Sequence, residues 1–408
     1  MAFETFNEKI MKIAEEAEEA LKEVFAGFDG TAFACTTRVV DAFRENRVST
    51  SHFMPADGYG YGDCGRDTLD KIYARVLGAE AAFVRHNIIN GTQALAIGLF
   101  GLLRPGDLLL SVTGDPYDTL QGVVSGQDGY GSLKEWGVLY EKREIGENFS
   151  EFMKDARLKV VYIQRSRGYT SREALSVNEI CEIYRYVKSR RPDVYVMVDN
   201  CYGAFVEPRE PECDLMVGSL IKNIGGGMAS CGGYLAGSSE AVELAANRWS
   251  CPGIGLEAGA SLYENKNIYK GVFYAPHTVA QALKTAALAA YIFEKQGFEV
   301  SPKYNDPRHD IIQTVTLHDP DKLCAFCRGI QKGSPVDSFV TPEPWDMPGY
   351  EDKVIMAAGA FVQGASIELS CDGPMREPYT AYMQGGLTYE SGKYAILSAL
   401  KEIITAEG

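Results

Sequence analysis

The sequence predicts an α/β fold, a mostly parallel sheet covered by helices, followed by a smaller α+β domain. Three observations carry this. Apolar runs of strand length alternate with segments of helical periodicity from about residue 80 to 237. Several of those runs (LLLSVT, LKVVYIQ, VYVMVD) are continuous rather than alternating, the mark of strands buried on both faces. Beyond Gly237 the chain changes to long helical patterns with only short strand-like pieces between them.

In order, residues 4–26 read as an amphipathic acidic helix, with Ile10, Ile13, Ala17, Leu21, Val24 and Phe25 at helical spacing. AAFVRHNII is a strand, and TQALAIGLFGLL is a helix stopped by Arg-Pro-Gly. LLLSVT and LKVVYIQ are strands, VNEICEIYRYVKSR a helix, and VYVMVD, CDLMVGSL and GGYLAG strands. AVELAANRWS and HTVAQALKTAALAAYIFEKQG are helices. The C-terminal part shows strand-like VTL and VIMAAGAF, a helix at 320–331 and a final helix at SGKYAILSALKEIITAEG. The expected organisation is a helical arm (1–50), a large α/β domain (51–250), connecting helices (251–295) and a small domain (296–408).

Composition narrows the function. The 408 residues are 46% hydrophobic, enough for two domains or three. A net charge of −15 with no Lys/Arg cluster argues against nucleic acid, since such a surface repels phosphates. The opening MAFETFNEKIMKIAEEAEEALKEV lacks the basic start and apolar stretch of a signal peptide, and no run reaches about eighteen apolar residues, so no membrane span and a soluble, cytoplasmic chain are expected. The ten cysteines read as reduced thiols, and Cys324-Ala-Phe-Cys327, in a helix with no second pair, as structural; no metal site is expected. Neither GxGxxG after a first strand nor GxxxxGK[ST] occurs.

In open α/β sheets ligands gather at the carboxyl ends of the strands. VYVMVD ends on Asp199, and CDLMVGSL leads into Lys222, a cation between two apolar runs that needs a partner. AAFVRHNII leads into Asn90-Gly91-Thr92-Gln93 at a helix start, and LLLSVT into Gly114-Asp115-Pro116-Tyr117. Singly these are ordinary turn and cap residues. Together they fit pyridoxal phosphate, which uses a lysine for its Schiff base, a carboxylate facing the pyridinium nitrogen, helix amides for the phosphate and an aromatic ring on one face. A lysine so placed is expected to have a lowered pKa.

The stretch VMVDNCYGAFVEPREPECDLMVGSLIKNIGGGMASCGGYLAG resembles the core of the Cys/Met-metabolism family of fold type I pyridoxal-phosphate enzymes, the cystathionine and methionine lyases. GYGYGDCGRDTLDKIYA, YIQRSRGYTSR, SLIKNIGGG, PEPWDMPGYEDKVIMAAG and GASIELSCDGPMREPY resemble the bacterial methionine gamma-lyase-like group named for aluminium resistance, over roughly 50–390. The resemblance implies a seven-stranded-type sheet, a homodimer or homotetramer with shared active sites, and carbon–sulfur lysis of a sulfur amino acid. An aminotransferase, another lyase or a racemase is the alternative, and a non-catalytic binding protein the remaining one. It makes Lys222 the Schiff-base lysine and general base, Asp199 the ring-nitrogen partner, and Ser219, Gly91 and Thr92 the phosphate ligands. Tyr117 becomes the ring-stacking residue and candidate acid, and Tyr61 the tyrosine that reaches the neighbouring subunit's phosphate. The N-terminal helix becomes an arm on that neighbour or packs within its own subunit. The sequence departs from the lyases in three places: Asp63 stands where they have an arginine, with Arg66 as substitute; Ile221 replaces the hydroxyl before the lysine; and Gly364 replaces the carboxylate-binding arginine, with Arg376 and Arg165 as substitutes.

Overall fold

The computed structural model describes residues 6–126, 129–347 and 352–406. The chain divides into two compact units, Cys35–Phe273 and a second formed by Met1–Ala34 with Tyr274–Gly408. Helices α1 (Glu8–Ala20) and α2 (Lys22–Glu45) come first, then α3 (Cys64–Leu77), β1 (Ala81–Arg85), α4 (Gly91–Leu102), β2 (Leu108–Ser111), α5 (Asp118–Ser125), β3 (Leu139–Lys142) and β4 (Leu158–Gln164). α6 (Val177–Lys188), β5 (Tyr195–Asp199), β6 (Leu215–Ser219), β7 (Gly233–Gly237) and α7 (Ser239–Trp249) complete the first unit's sheet.

That sheet has seven strands in the order β1-β7-β6-β5-β4-β2-β3. β3, β2, β4, β5 and β6 are mutually parallel, and β7 runs antiparallel to both β6 and β1. The period-two alternation of strand side chains divides each apolar run between two cores. Val160, Tyr162, Met197, Leu215 and Val217 pack on one face with α4 and α7 residues, whereas Val161, Ile163, Val196 and Val198 pack on the other with Ile180 and Val187 of α6. Burial on both faces is why the runs are continuous. The register places Gln164 opposite Asp199, and Asp199 opposite Val217, two residues before the end of β6. The strand ends that carry polar residues therefore share one edge.

The second unit contains α8 (Asn265–Lys295) from Tyr274 onward, β8 (Glu299–Ser301), β9 (Ile312–Thr316), α9 (Pro320–Lys332), β10 (Val354–Ala357), β11 (Ser370–Pro374), β12 (Thr380–Gln384) and α10 (Tyr389–Ala406). Its sheet is antiparallel, ordered β10-β11-β12-β9-β8. Here the structure differs from the expected division of the chain. The first helix is not a free arm: Ile10, Ala14, Ala17 and Leu21 are buried in one core with Phe293, Phe326, Ile396 and Leu400. Of the two placements expected for its apolar stripe, on a neighbour or within its own subunit, the helix takes the second, where burial removes the stripe from water. Cys324 and Cys327 lie in this core too, with Cys327 Sγ 3.8 Å from Cys371 Sγ. Among the described residues no helix is long and apolar enough to cross a membrane.

Candidate active site

The turn after β5 and the segment after β6 build the centre of the site. Asp199 is buried at the end of β5. The Cys201 backbone N–H donates to its Oδ1 at 3.1 Å, and the Tyr162 hydroxyl donates to Oδ2 at 3.5 Å. Burial pushes the Asp199 carboxyl above its usual range, with the Cys201 amide and thiol and the Lys222 charge acting the other way. A carboxyl in this condition gains most from a cation set against it.

Lys222 follows β6 and is half-buried. Its Nζ donates to the Tyr202 hydroxyl at 3.1 Å and lies 4.5 Å from the centre of that ring. Its pKa is raised, against the expected fall. Burial does act to lower it, but the Tyr202 hydroxyl, Cys201 and Asp199 outweigh burial, and the ammonium is favoured. A phenol, a thiol and a carboxylate beside the amine all favour its charged form.

Helix α4 aims its N-terminus at the same place. Asn90 caps it, its Oδ1 accepting the Gln93 N–H at 2.8 Å, and the amides of Gly91 and Thr92 have no intrahelical acceptor, as in any first turn. A Cβ on Gly91 would lie 3.2 Å from Cys201 Sγ and 3.4 Å from Ser219 Cβ. The helix end, Ser219 and the Asp199 turn thus form one cradle that a side chain at 91 would fill. The Thr92 hydroxyl meets the Tyr117 hydroxyl at 2.9 Å and that of Thr119 at 3.0 Å. Tyr117 is itself held by its backbone N–H donating to Gln164 Oε1 at 3.0 Å. Burial, then the Asp199 charge, raises the Tyr117 phenol far above its usual value, so it carries its proton.

The residues present fit pyridoxal phosphate: helix amides and a serine hydroxyl suit a phosphate dianion, Asp199 suits a protonated ring nitrogen, and Lys222 supplies an amine. The structure brings together Lys222, Asp199, Ser219, Gly91, Thr92 and Tyr117. Tyr61, Arg66 and Arg165 have other surroundings. Tyr61 is exposed and stacks on Tyr59 with ring centroids 5.3 Å apart. Arg376 belongs to the second unit, exposed and paired with Asp352 at 3.4 Å.

Arg66 and Arg165 are corrections. Arg66 is buried, with Nη1 donating to the carbonyls of Gly60 (2.9 Å) and Gly259 (3.0 Å), and Nε and Nη2 to Asp67. Its donors are committed to closing a loop. Arg165 is fully buried, and its guanidinium bonds Asn200 Oδ1 (2.8 Å), the Gly203 carbonyl (3.0 Å), Glu207 (2.8 Å), Glu210 (3.4 Å) and the Leu175 carbonyl (3.3 Å). It has no face left for a substrate. Removing it leaves Glu210 only the longer pair with Arg38 (3.7 Å) as a cation and takes the nearest cation from Glu207, so Arg165→Ala is expected to cost about 3 kcal/mol in urea unfolding; a loss under about 1 kcal/mol would contradict this role.

Sequence reasoning passed over Tyr202, Cys201, Gln164 and Asn223. Three of them lie within three residues of Asp199 or next to Lys222, so nearness in sequence to the strand ends was the signal available.

A family model described as methionine gamma-lyase matches residues 10–404. Protein YnbB of Bacillus subtilis (strain 168) is 48% identical over 418 residues, covering 98% of both chains. A crystal structure from Clostridium acetobutylicum, described as a candidate cystathionine beta-lyase involved in aluminium resistance, is similar at 46% identity with a TM-score of 0.94, covering 97% of this chain and 96% of that one. A structure described as a carbon-sulfur lyase involved in aluminium resistance, from Clostridium novyi NT, is similar at 48% identity with a TM-score of 0.93, covering 97% and 96%.

Proposed function

We propose, from the premise that the chain belongs to the methionine gamma-lyase family, that Lys222 is both the covalent anchor of pyridoxal phosphate and the base of the reaction. The chain is a fold type I, pyridoxal-phosphate-dependent carbon–sulfur lyase of the cystathionine and methionine lyase type. The observation that carries the finer reading is the cradle in which the α4 N-terminus meets Ser219 and Cys201, with Asp199 and Lys222 on its border. Pyridoxal phosphate, when bound, supplies an aldehyde for amines and a protonated ring that takes up the electron pair released at the substrate α-carbon.

The chain's own residues do the rest. The amides of Gly91 and Thr92 and the Ser219 hydroxyl would hold the phosphate. Asp199 would balance the charge of a protonated ring nitrogen. Lys222 Nζ would take the α-proton. Tyr117, protonated and beside Thr92, gives its proton to the departing sulfur.

The substrate class is a sulfur amino acid. Incubating the enzyme with L-cystathionine, L-cysteine, L-methionine and L-alanine while assaying thiol, ammonia and keto acid tests this. Thiol or sulfide with stoichiometric ammonia is expected; keto acid formed only with an amino acceptor, and no thiol, would make the protein an aminotransferase instead.

We read the assembly as a homodimer, or a dimer of dimers, in which Tyr61 serves the neighbour's phosphate. Its outward-facing ring, stacked on Tyr59, supports this. A mixture of Tyr61→Ala and Lys222→Ala protomers is expected to regain activity that neither variant has alone. Mixed samples that stay inactive after subunit exchange would place Tyr61 outside the shared site.

A further inference from the structure

The turn that joins Asp199 to Phe205 is built more rigidly than a connection needs to be. On one side Arg165 Nη1 bonds both Asn200 Oδ1 (2.8 Å) and the Gly203 carbonyl (3.0 Å), while Glu210 accepts from Asn200 Nδ2 (3.0 Å) and the Phe205 N–H (2.9 Å). Phe205 sits at φ 63, a left-handed conformation that a bulky residue adopts only when its surroundings enforce it. Gly203 lies against this network: a Cβ there would come within 2.5 Å of Arg165 Nη1. On the other side Asn223, fully buried and adjacent in sequence to Lys222, donates through Nδ2 to the carbonyls of Tyr202 (2.9 Å) and Ala204 (3.1 Å). One side chain thus ties the Tyr202 turn to the lysine's own segment.

What this turn presents is a hydroxyl, at 3.1 Å from Lys222 Nζ. We propose that Tyr202 is the positioning residue for Lys222, its hydroxyl holding the lysine nitrogen in one place in both protonation states, with Asn223 and the Arg165–Glu210 pair fixing the turn that carries it. A hydroxyl can do this because it accepts from an ammonium N–H and donates to a free amine lone pair. The base in the proposed reaction needs that property. The α-proton moves to Nζ, its bonding pair stays on the substrate side, and the N–H so formed donates to Tyr202 Oη. The ring, 4.5 Å from Nζ, adds cation–π attraction for the charged state alone. The inference rests on the proposed role of Lys222 for its catalytic meaning, but the contact itself is testable without cofactor.

The test is Tyr202→Phe, which keeps the ring and removes the hydroxyl. Full-length protein stripped of cofactor with hydroxylamine is trace-acetylated with acetic anhydride across a pH series, and the Lys222 peptide is quantified by mass spectrometry against exposed Lys154. Because the charge-assisted bond to the ammonium is stronger than the bond to the free amine, the variant is expected to show a lower midpoint for Lys222 and about tenfold faster labelling at neutral pH, the scale set by losing one hydrogen bond to a charged group. Lys154 should not change. An unchanged Lys222 profile in folded Tyr202→Phe overturns the proposal. Should that variant fail to fold, Asn223→Ala carries the test, because freeing the turn must move the Lys222 midpoint in the same direction; no shift there overturns it equally. Failure of borohydride to fix cofactor on Lys222 in the wild-type protein would sink the anchoring role instead, and the labelling result would stand apart from it.

Discussion

Lys222→Ala is expected to lose the visible absorption band of bound pyridoxal phosphate and to lower turnover on the order of 10⁴-fold or more, because one substitution removes both the covalent anchor and the base. In the wild-type protein borohydride should abolish the band and leave the reduced cofactor on the peptide that contains Lys222. The fold should persist, since Lys222 is half-buried at a sheet edge and not in either apolar core. Far-UV circular dichroism separates this outcome from unfolding. Full activity in the variant, or cofactor mapped to another lysine, would refute the mechanism whatever the substrate.

Asp199→Asn is expected to keep the cofactor attached but to slow turnover by roughly 10²–10³-fold, the scale of losing one preorganised charge at a reacting centre. Asparagine matches the carboxylate in shape yet cannot balance a protonated ring nitrogen. The pH dependence runs in a direction set by burial. Because the folded Asp199 carboxyl titrates above its unfolded value, near 3.9, its contribution to stability is present below that value and lost as pH rises through the folded one. The cofactor-free Asn variant should therefore melt above wild type at pH 8, the gap closing towards pH 4. With cofactor bound the order should reverse, because the carboxylate then faces a cation. Equal melting of the two loaded proteins, with equal activity, would remove Asp199 from the site.

Other residues had to wait for the fold. Arg165 and Arg376 were equivalent as candidate carboxylate binders in the sequence, and only the partners of Arg165, up to 45 residues away, identify it as a buried structural cation. Arg66 reads as a spare charge until Gly259, 193 residues on, is seen to accept from it. Tyr202 was visible three residues after Asp199, but nothing local says that its hydroxyl turns towards a lysine twenty residues later.

The sequence by itself determined the parallel sheet, the edge on which chemistry collects, and five residues that meet there, Lys222, Asp199, Gly91, Thr92 and Tyr117, to which the family resemblance added Ser219. Strand burial writes itself as continuous apolar runs, and parallel strands place their carboxyl ends together, so local pattern plus one topological rule suffices. The tertiary structure alone decided that α1 fills the core of the C-terminal unit, that Arg66 and Arg165 are spent on carbonyls and carboxylates, and that Lys222 favours its charged form. Each of these depends on which distant groups surround a side chain, and periodicity records how deeply a residue is buried without recording its neighbours.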